Sequence, residues 1–156
     1  LQKYAQSFGW TLIDDSNRKE MFLDMIRQMD MSYSYKPVLI KAILLYADEK
    51  GRIKLENIVS YFRSYYENRR SMGLVVEKQN SIFAEGGYTD KEAERNILAN
   101  PFKRFEDMQM LRHTKTLGIV QVDEAVWKKL SKEEKAEIEK ICDEKLVQYY
   151  GRLRCD

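Results

Sequence analysis

The stretch Asp48–Arg70, DEKGRIKLENIVSYFRSYYENRR, decides how this chain is read. Gly51 marks a turn and Arg52 and Ile53 suit a short strand. Leu55, Ile58, Val59, Phe62 and Tyr66 then recur at helical spacing to about Arg70. Just upstream, Pro37 suits the first turn of another helix. There Leu39, Ile40, Ile43, Leu44 and Ala47 make one apolar face, and Val38 and Leu45 spread it around the cylinder. That helix is expected to be the most buried element. The two together are helix-turn-helix-like, and two readings stand open: half of a DNA-reading motif, or a packed helical pair with a solvated basic end.

Toward the N-terminus, Ser16 is a plausible N-cap, and Phe22, Met25, Ile26 and Met29 predict a first helix to about Asp30, ended by the linker Ser32–Tyr35, SYSY. Residues 1–15 read as a lead or linker, whose Phe8, Trp10, Leu12 and Ile13 suit either packing on the body or a strand. Beyond Gly73, LVVEKQNSIFAEGGY keeps no period and carries Gly86 and Gly87, so 77–88 is expected to be the most mobile internal segment. Thr89 with Glu92 has capping-box spacing and predicts a helix from Asp90 to about Ala99. Asn100–Pro101 restarts a helix with Phe102, Phe105 and Met108 on one side. A hairpin follows, turning near Thr116–Gly118, with Ile119, Val120 and Val122 on its second strand. Ser131 and Glu134 repeat the capping-box spacing, and Ile138, Ile141, Leu146 and Tyr149 carry a closing helix to about Tyr150, leaving 151–156 as a tail.

These elements predict a mainly α fold with a small β-hairpin, an α+β chain with a winged-helix-like centre and additional N- and C-terminal helices, in one domain over 16–150. With 44% hydrophobic and 33% charged residues, 156 residues suffice for one real core. No window approaches the roughly 18 apolar residues of a membrane span, and the first residues lack the order of a signal peptide, so a cytoplasmic protein without membrane contact is expected. Cys142 and Cys155 lack metal or redox spacing and read as reduced thiols. The start at Leu1 suggests a domain of a longer polypeptide.

Enzyme chemistry finds little support. His113 is the only histidine, so a His-based triad or multi-histidine metal site would need another chain, and no GxxxxGK[ST] or GxGxxG loop is present. The run KEEKAEIEK reads as a solvated helix face, and Asp123, Glu124 and Lys128 only faintly echo a nuclease set. No activity, cofactor or metal is expected of the isolated chain.

A net charge of +2 does not announce nucleic acid, so any such case rests on where the cations cluster. In a winged helix the helix before the hairpin enters a DNA groove while the hairpin touches the backbone. That makes Lys103 and Arg104 the outward candidates near a helix start, where backbone amides also favour a phosphate, with Arg112, His113 and Lys115 on the wing. Arg63, Arg69 and Arg70 are a second basic set. Arg69 and Arg70 read either as DNA contacts or as cations complementing a helix C-terminus. Tyr61, Tyr65, Tyr66, Tyr149 and Tyr150 read either as platforms for unpaired bases or as edges of the core.

Three stretches carry a family resemblance: SYSYKPVLIKAILLYADEKGRIKLENIVSYFRSYYENRR, NPFKRFEDM, and LGIVQVDEAVWKKL before the last helix. They resemble an accessory module of bacterial and phage-related proteins of DNA metabolism and of restriction or phage defence, attached to restriction-type superfamily-two helicases or to nucleases. The similarity covers roughly residues 31–150 and rests on Tyr35-Lys36-Pro37, the tyrosines and arginines closing the long helix, and Asn100-Pro101-Phe102. It implies a noncatalytic DNA-binding or DNA-positioning part of a larger machine, with DNA and a motor or nuclease domain of the same polypeptide as partners. The motor's nucleotide-binding motifs are not in this chain, so ATP hydrolysis is not carried over. The rival expectation is a protein-interaction or structural module that binds no nucleic acid.

Overall fold

In the computed structural model, which describes residues 17–155, eight helices and three strands follow one another. The expected lead 1–15 and the cap at Ser16 lie outside the described residues. Helix α1 spans Arg18–Arg27 and α2 Tyr35–Tyr46; strand β1, Arg52–Lys54, runs directly into α3, Leu55–Ser71. After α4, Ile82–Glu85, come α5, Asp90–Ala99, and α6, Pro101–Asp107. Strands β2, Leu111–Thr114, and β3, Ile119–Val122, form the hairpin, and α7, Glu124–Lys129, and α8, Lys132–Cys155, close the chain. The fold is thus mainly helical with a three-stranded antiparallel sheet in the order β1-β3-β2. Among the described residues no helix is long and apolar enough to cross a membrane.

Helix α2 is the hub. Val38, Leu39, Ile40, Ala42 and Ile43 are all buried, against α3, α8 and α6. Leu45 departs from the expected all-round burial and stands 62% exposed near the helix end. Helix α3 buries Leu55, Ile58, Val59, Phe62 and Tyr66, the stripe read from the sequence. Helix α1 ends at Arg27 rather than near Asp30, and α8 runs on through Gly151 to Cys155, over residues expected to be a tail. Both capping boxes form: Thr89 and Glu92 exchange backbone-to-side-chain hydrogen bonds, as do Ser131 and Glu134. The sequence reading did not separate α7, whose signal is Asp123, a cap accepting from the Val126 amide at 3.1 Å.

Pairing Ile53 with Val120 fastens β1 to the hairpin. The turn before β1 is covered by α7. Gly51 has φ +80°, and a Cβ there would fall 2.9 Å from Trp127 Cγ, so the site needs glycine both for its backbone and for the indole. The Trp127 indole N–H donates to the Asp48 carbonyl at 3.0 Å.

The segment expected to be mobile is anchored. Glu77, Ser81, Phe83 and Tyr88 are buried, and Phe83 stacks on Tyr66 with ring centroids 4.7 Å apart. Its anchors are single residues spaced to meet different partners, which is why no period marks them. The central anchor is the Glu77 carboxyl. Oε2 accepts from the Ser34 amide at 2.8 Å and from the Ser34 hydroxyl at 2.5 Å; Oε1 accepts from the Lys78 amide at 2.8 Å and from the Tyr149 hydroxyl. Because Ser34 Oγ donates to Glu77, the Tyr66 hydroxyl, 2.6 Å away, must donate to Ser34. Tyr150 donates to the Val76 carbonyl at 2.7 Å and completes the cluster. Removing the carboxyl strands several buried donors at once. Glu77→Ala is therefore expected to cost about 3 kcal/mol or more in urea unfolding, and Glu77→Gln, which keeps one acceptor oxygen, less.

Burial pushes the Cys142 thiol from 9.0 up to about 12, and pushes the Tyr35 hydroxyl from 10.0 up to about 12. Between those values the folded state holds protons that the unfolded chain has released, so stability falls as pH rises. The urea midpoint is expected to begin declining near pH 9 and to keep falling toward pH 12. Iodoacetamide should label Cys142 slowly in the native protein and quickly in urea, read from the Cys142 peptide by mass spectrometry.

Candidate nucleic-acid interface

Helix α5 begins at its capping box and places Lys91 and Arg95, four residues apart, on one face. The Leu55 amide donates to the Gly118 carbonyl at 2.8 Å, which holds the end of β1 beside the hairpin turn. Lys54 thereby joins Lys115 on the wall opposite α5, and the two walls enclose a groove that His113 and Leu117 also line. Four cations, Lys54, Lys91, Arg95 and Lys115, face two carboxylates, Glu56 and Glu94. None of the four cations makes a salt bridge among the described residues.

The candidates singled out from the sequence do not share this groove: the wing residues His113 and Lys115 lie in it, whereas Lys103, Arg104, Arg112, Arg63, Arg69 and Arg70 do not. Phe102 and Phe105 turn inward as expected and leave Lys103 and Arg104 exposed. Lys103 is held by Asp107 at 2.7 Å, a hydrogen bond that raises its pKa. Arg104 faces a different groove, between α1 and α6, where it and Lys36 meet Asp24 and Asp30. Arg112 projects from β2 opposite Gln121 into a third depression, where it and Arg18 meet Glu106, Asp123 and Glu124. The first of these grooves balances to zero and the second is net negative, whereas the α5–hairpin groove is net positive. The start of α6 is also a poor phosphate site. Asn100 ends α5 and begins α6, so the carbonyl pole of one helix abuts the amide pole of a helix only seven residues long.

Arg69 and Arg70 fasten the chain to itself. Arg69 Nε donates to the Val75 carbonyl at 2.6 Å, and its guanidinium lies 3.5 Å from the centroid of the Tyr150 ring. Arg70 donates to the Phe83 carbonyl at 2.6 Å and pairs with Glu67 at 3.4 Å. Arg63 pairs with Asp90. Of the tyrosines weighed as stacking platforms or core edges, Tyr66, Tyr149 and Tyr150 converge inside the core around Ser34 and Glu77. Asp123, part of the nuclease echo, caps α7 and binds Arg18 at 3.0 Å, while Lys128 pairs with Glu124 at 3.2 Å. Sequence reasoning missed Lys54, Lys91 and Arg95. The i, i+4 spacing of the last two was a legible signal, whereas their meeting with Lys54 across the hairpin depends on the sheet.

The chain matches no protein-family model, no curated protein and no solved structure.

Arg69→Ala removes both the stack on Tyr150 and the hydrogen bond to Val75, and is expected to lower unfolding free energy by about 1–3 kcal/mol. Arg69→Lys should recover little of it, because an ammonium cannot lie flat on the ring and donate through Nε together. Chemical denaturation of the two variants checks both values.

Proposed function

We propose that this chain is a noncatalytic DNA-binding domain that positions DNA for a larger DNA-acting protein, such as a helicase or nuclease, and that its contact face is the α5–hairpin groove. The observation that carries the reading is the convergence of Lys54, Lys91, Arg95 and Lys115, all without a carboxylate partner among the described residues, on one groove. Neutralising phosphates costs such cations no internal ion pair, whereas Lys103 would first have to leave Asp107. The element order supports the same reading. Helix α2, strand β1, the four helical segments α3 to α6 and a hairpin, with a sheet in the order β1-β3-β2, suit a winged-helix-like centre, here with α5 rather than the helix directly before the hairpin standing beside the wing.

The test is fluorescence anisotropy with a labelled oligonucleotide, offered as a single strand and as a duplex, across a salt series. Binding to either form is expected, with log K falling by about 0.7–0.9 per phosphate contact for each unit of log salt. Replacing Lys54, Lys91, Arg95 and Lys115 by Ala should weaken it about tenfold or more and flatten the slope; Lys103→Ala with Arg104→Ala should change it little. No binding of either form at low salt would overturn the proposal. A protein-interaction module then takes its place, a reading favoured by the exposed apolar Met72, Leu74 and Val75 just past α3 and Val147 on α8.

A further inference from the structure

The composition and two-sided shape of the same groove say which form of nucleic acid it takes. Proteins that hold single strands combine a basic track with aromatic side chains on which successive bases stack. Among the described residues, the α5–hairpin groove is lined by no Phe, Tyr or Trp; apart from His113 its side chains are cations, carboxylates and aliphatics. The tyrosines weighed from the sequence as stacking platforms, Tyr61, Tyr65, Tyr66, Tyr149 and Tyr150, all lie outside this lining. Tyr66, Tyr149 and Tyr150 are buried in the hydroxyl cluster around Ser34, and Tyr33 and Tyr35 stack on each other at 4.7 Å. The cations stand on both walls, Lys91 and Arg95 on α5 and Lys54 and Lys115 on the strand and hairpin side, so phosphate contacts are offered from two sides. Leu117, 69% exposed on the hairpin turn, is an aliphatic tip that offers no ring for a base. The amides that read adenine are also missing from the lining: no Asn or Gln faces the groove among the described residues.

Resting on the DNA-binding reading above, we infer that the groove takes a DNA duplex by its two phosphate backbones, with little sequence preference, rather than an unpaired strand. The experiment uses the whole chain and three labelled probes in anisotropy titrations: a single strand, the duplex of the same sequence, and a duplex of scrambled sequence and equal composition. The expected result is duplex binding about tenfold or more tighter than single-strand binding, with the two duplexes within about twofold of each other. Substituting all four groove cations by Ala should remove the duplex preference, while Lys103→Ala with Arg104→Ala keeps it; circular dichroism confirms that both variants fold. Single-strand affinity equal to or above that of the duplex overturns this inference while leaving the DNA-binding reading standing. So does discrimination of about tenfold between the two duplexes, or a duplex preference that survives loss of the four cations. Failure of every probe to bind overturns both.

Discussion

The hydrogen bonds between Glu77 and Ser34 hold together parts of the chain that local structure alone would leave apart. Ser34 lies at the start of α2, and Glu77 lies 43 residues later in a segment without period. Through the Ser34 hydroxyl the cluster reaches Tyr66 in α3, and through its other oxygen Glu77 reaches Tyr149 in α8. A buried carboxyl is tolerated only where its oxygens are filled by donors, and here two backbone amides and two hydroxyls fill them. Burial accordingly pushes the Tyr66 hydroxyl well above its ordinary value and raises Tyr149 and Tyr150, so these tyrosines act as neutral donors.

The consequences run outward from that cluster. With Val76, Glu77 and Ser81 drawn inward, Phe83 fills the space between Tyr35, Phe62 and Tyr66, and Arg70 closes over the Phe83 and Ala84 carbonyls. Helix α8 is clamped along α2 by the same tyrosines and, on the surface, by Lys41 with Asp143 at 2.5 Å. At the other end of the molecule the sheet depends on a second close fit, Trp127 against Gly51, which seats α7 over the turn into β1. A strand of three residues is too short to stand alone, and its pairing with β3 together with that cover keeps Lys54 beside the hairpin.

Charge pairing then sorts the surface. Several arginines and lysines are bound to acids on their own helix or on a neighbouring one: Arg63 to Asp90, Arg70 to Glu67, Lys103 to Asp107 and Lys128 to Glu124. Such exposed pairs add little stability, but each reduces the field its cation offers to a ligand. What is left over is a local excess of positive charge in one groove of a chain whose net charge is only +2. A nearly neutral protein can present a basic face in this way.

The sequence by itself determined the helices of α2, α3 and α5, both capping boxes, the turn of the hairpin and the α+β class, because each rests on residues within a few positions of one another. Apolar spacing sufficed for Ile58 and Phe62, and Thr89 with Glu92 sufficed to start α5. Only the tertiary structure decided what Glu77, Arg69 and Phe83 do, since each acts through a partner brought close by folding: Ser34, Tyr150 and Tyr66. The same holds for the candidate interface. Lys103 and Arg104 look like a site when read as neighbours in sequence, but Asp107 one turn away and the α1 acids across space change their surroundings. Lys54, Lys91, Arg95 and Lys115 look unrelated until the pairing of β1 with β3 sets one side of a groove and the packing of α5 on α3 sets the other. Charges act through distance in space, and that distance was decided by hydrogen bonds and packing far along the chain.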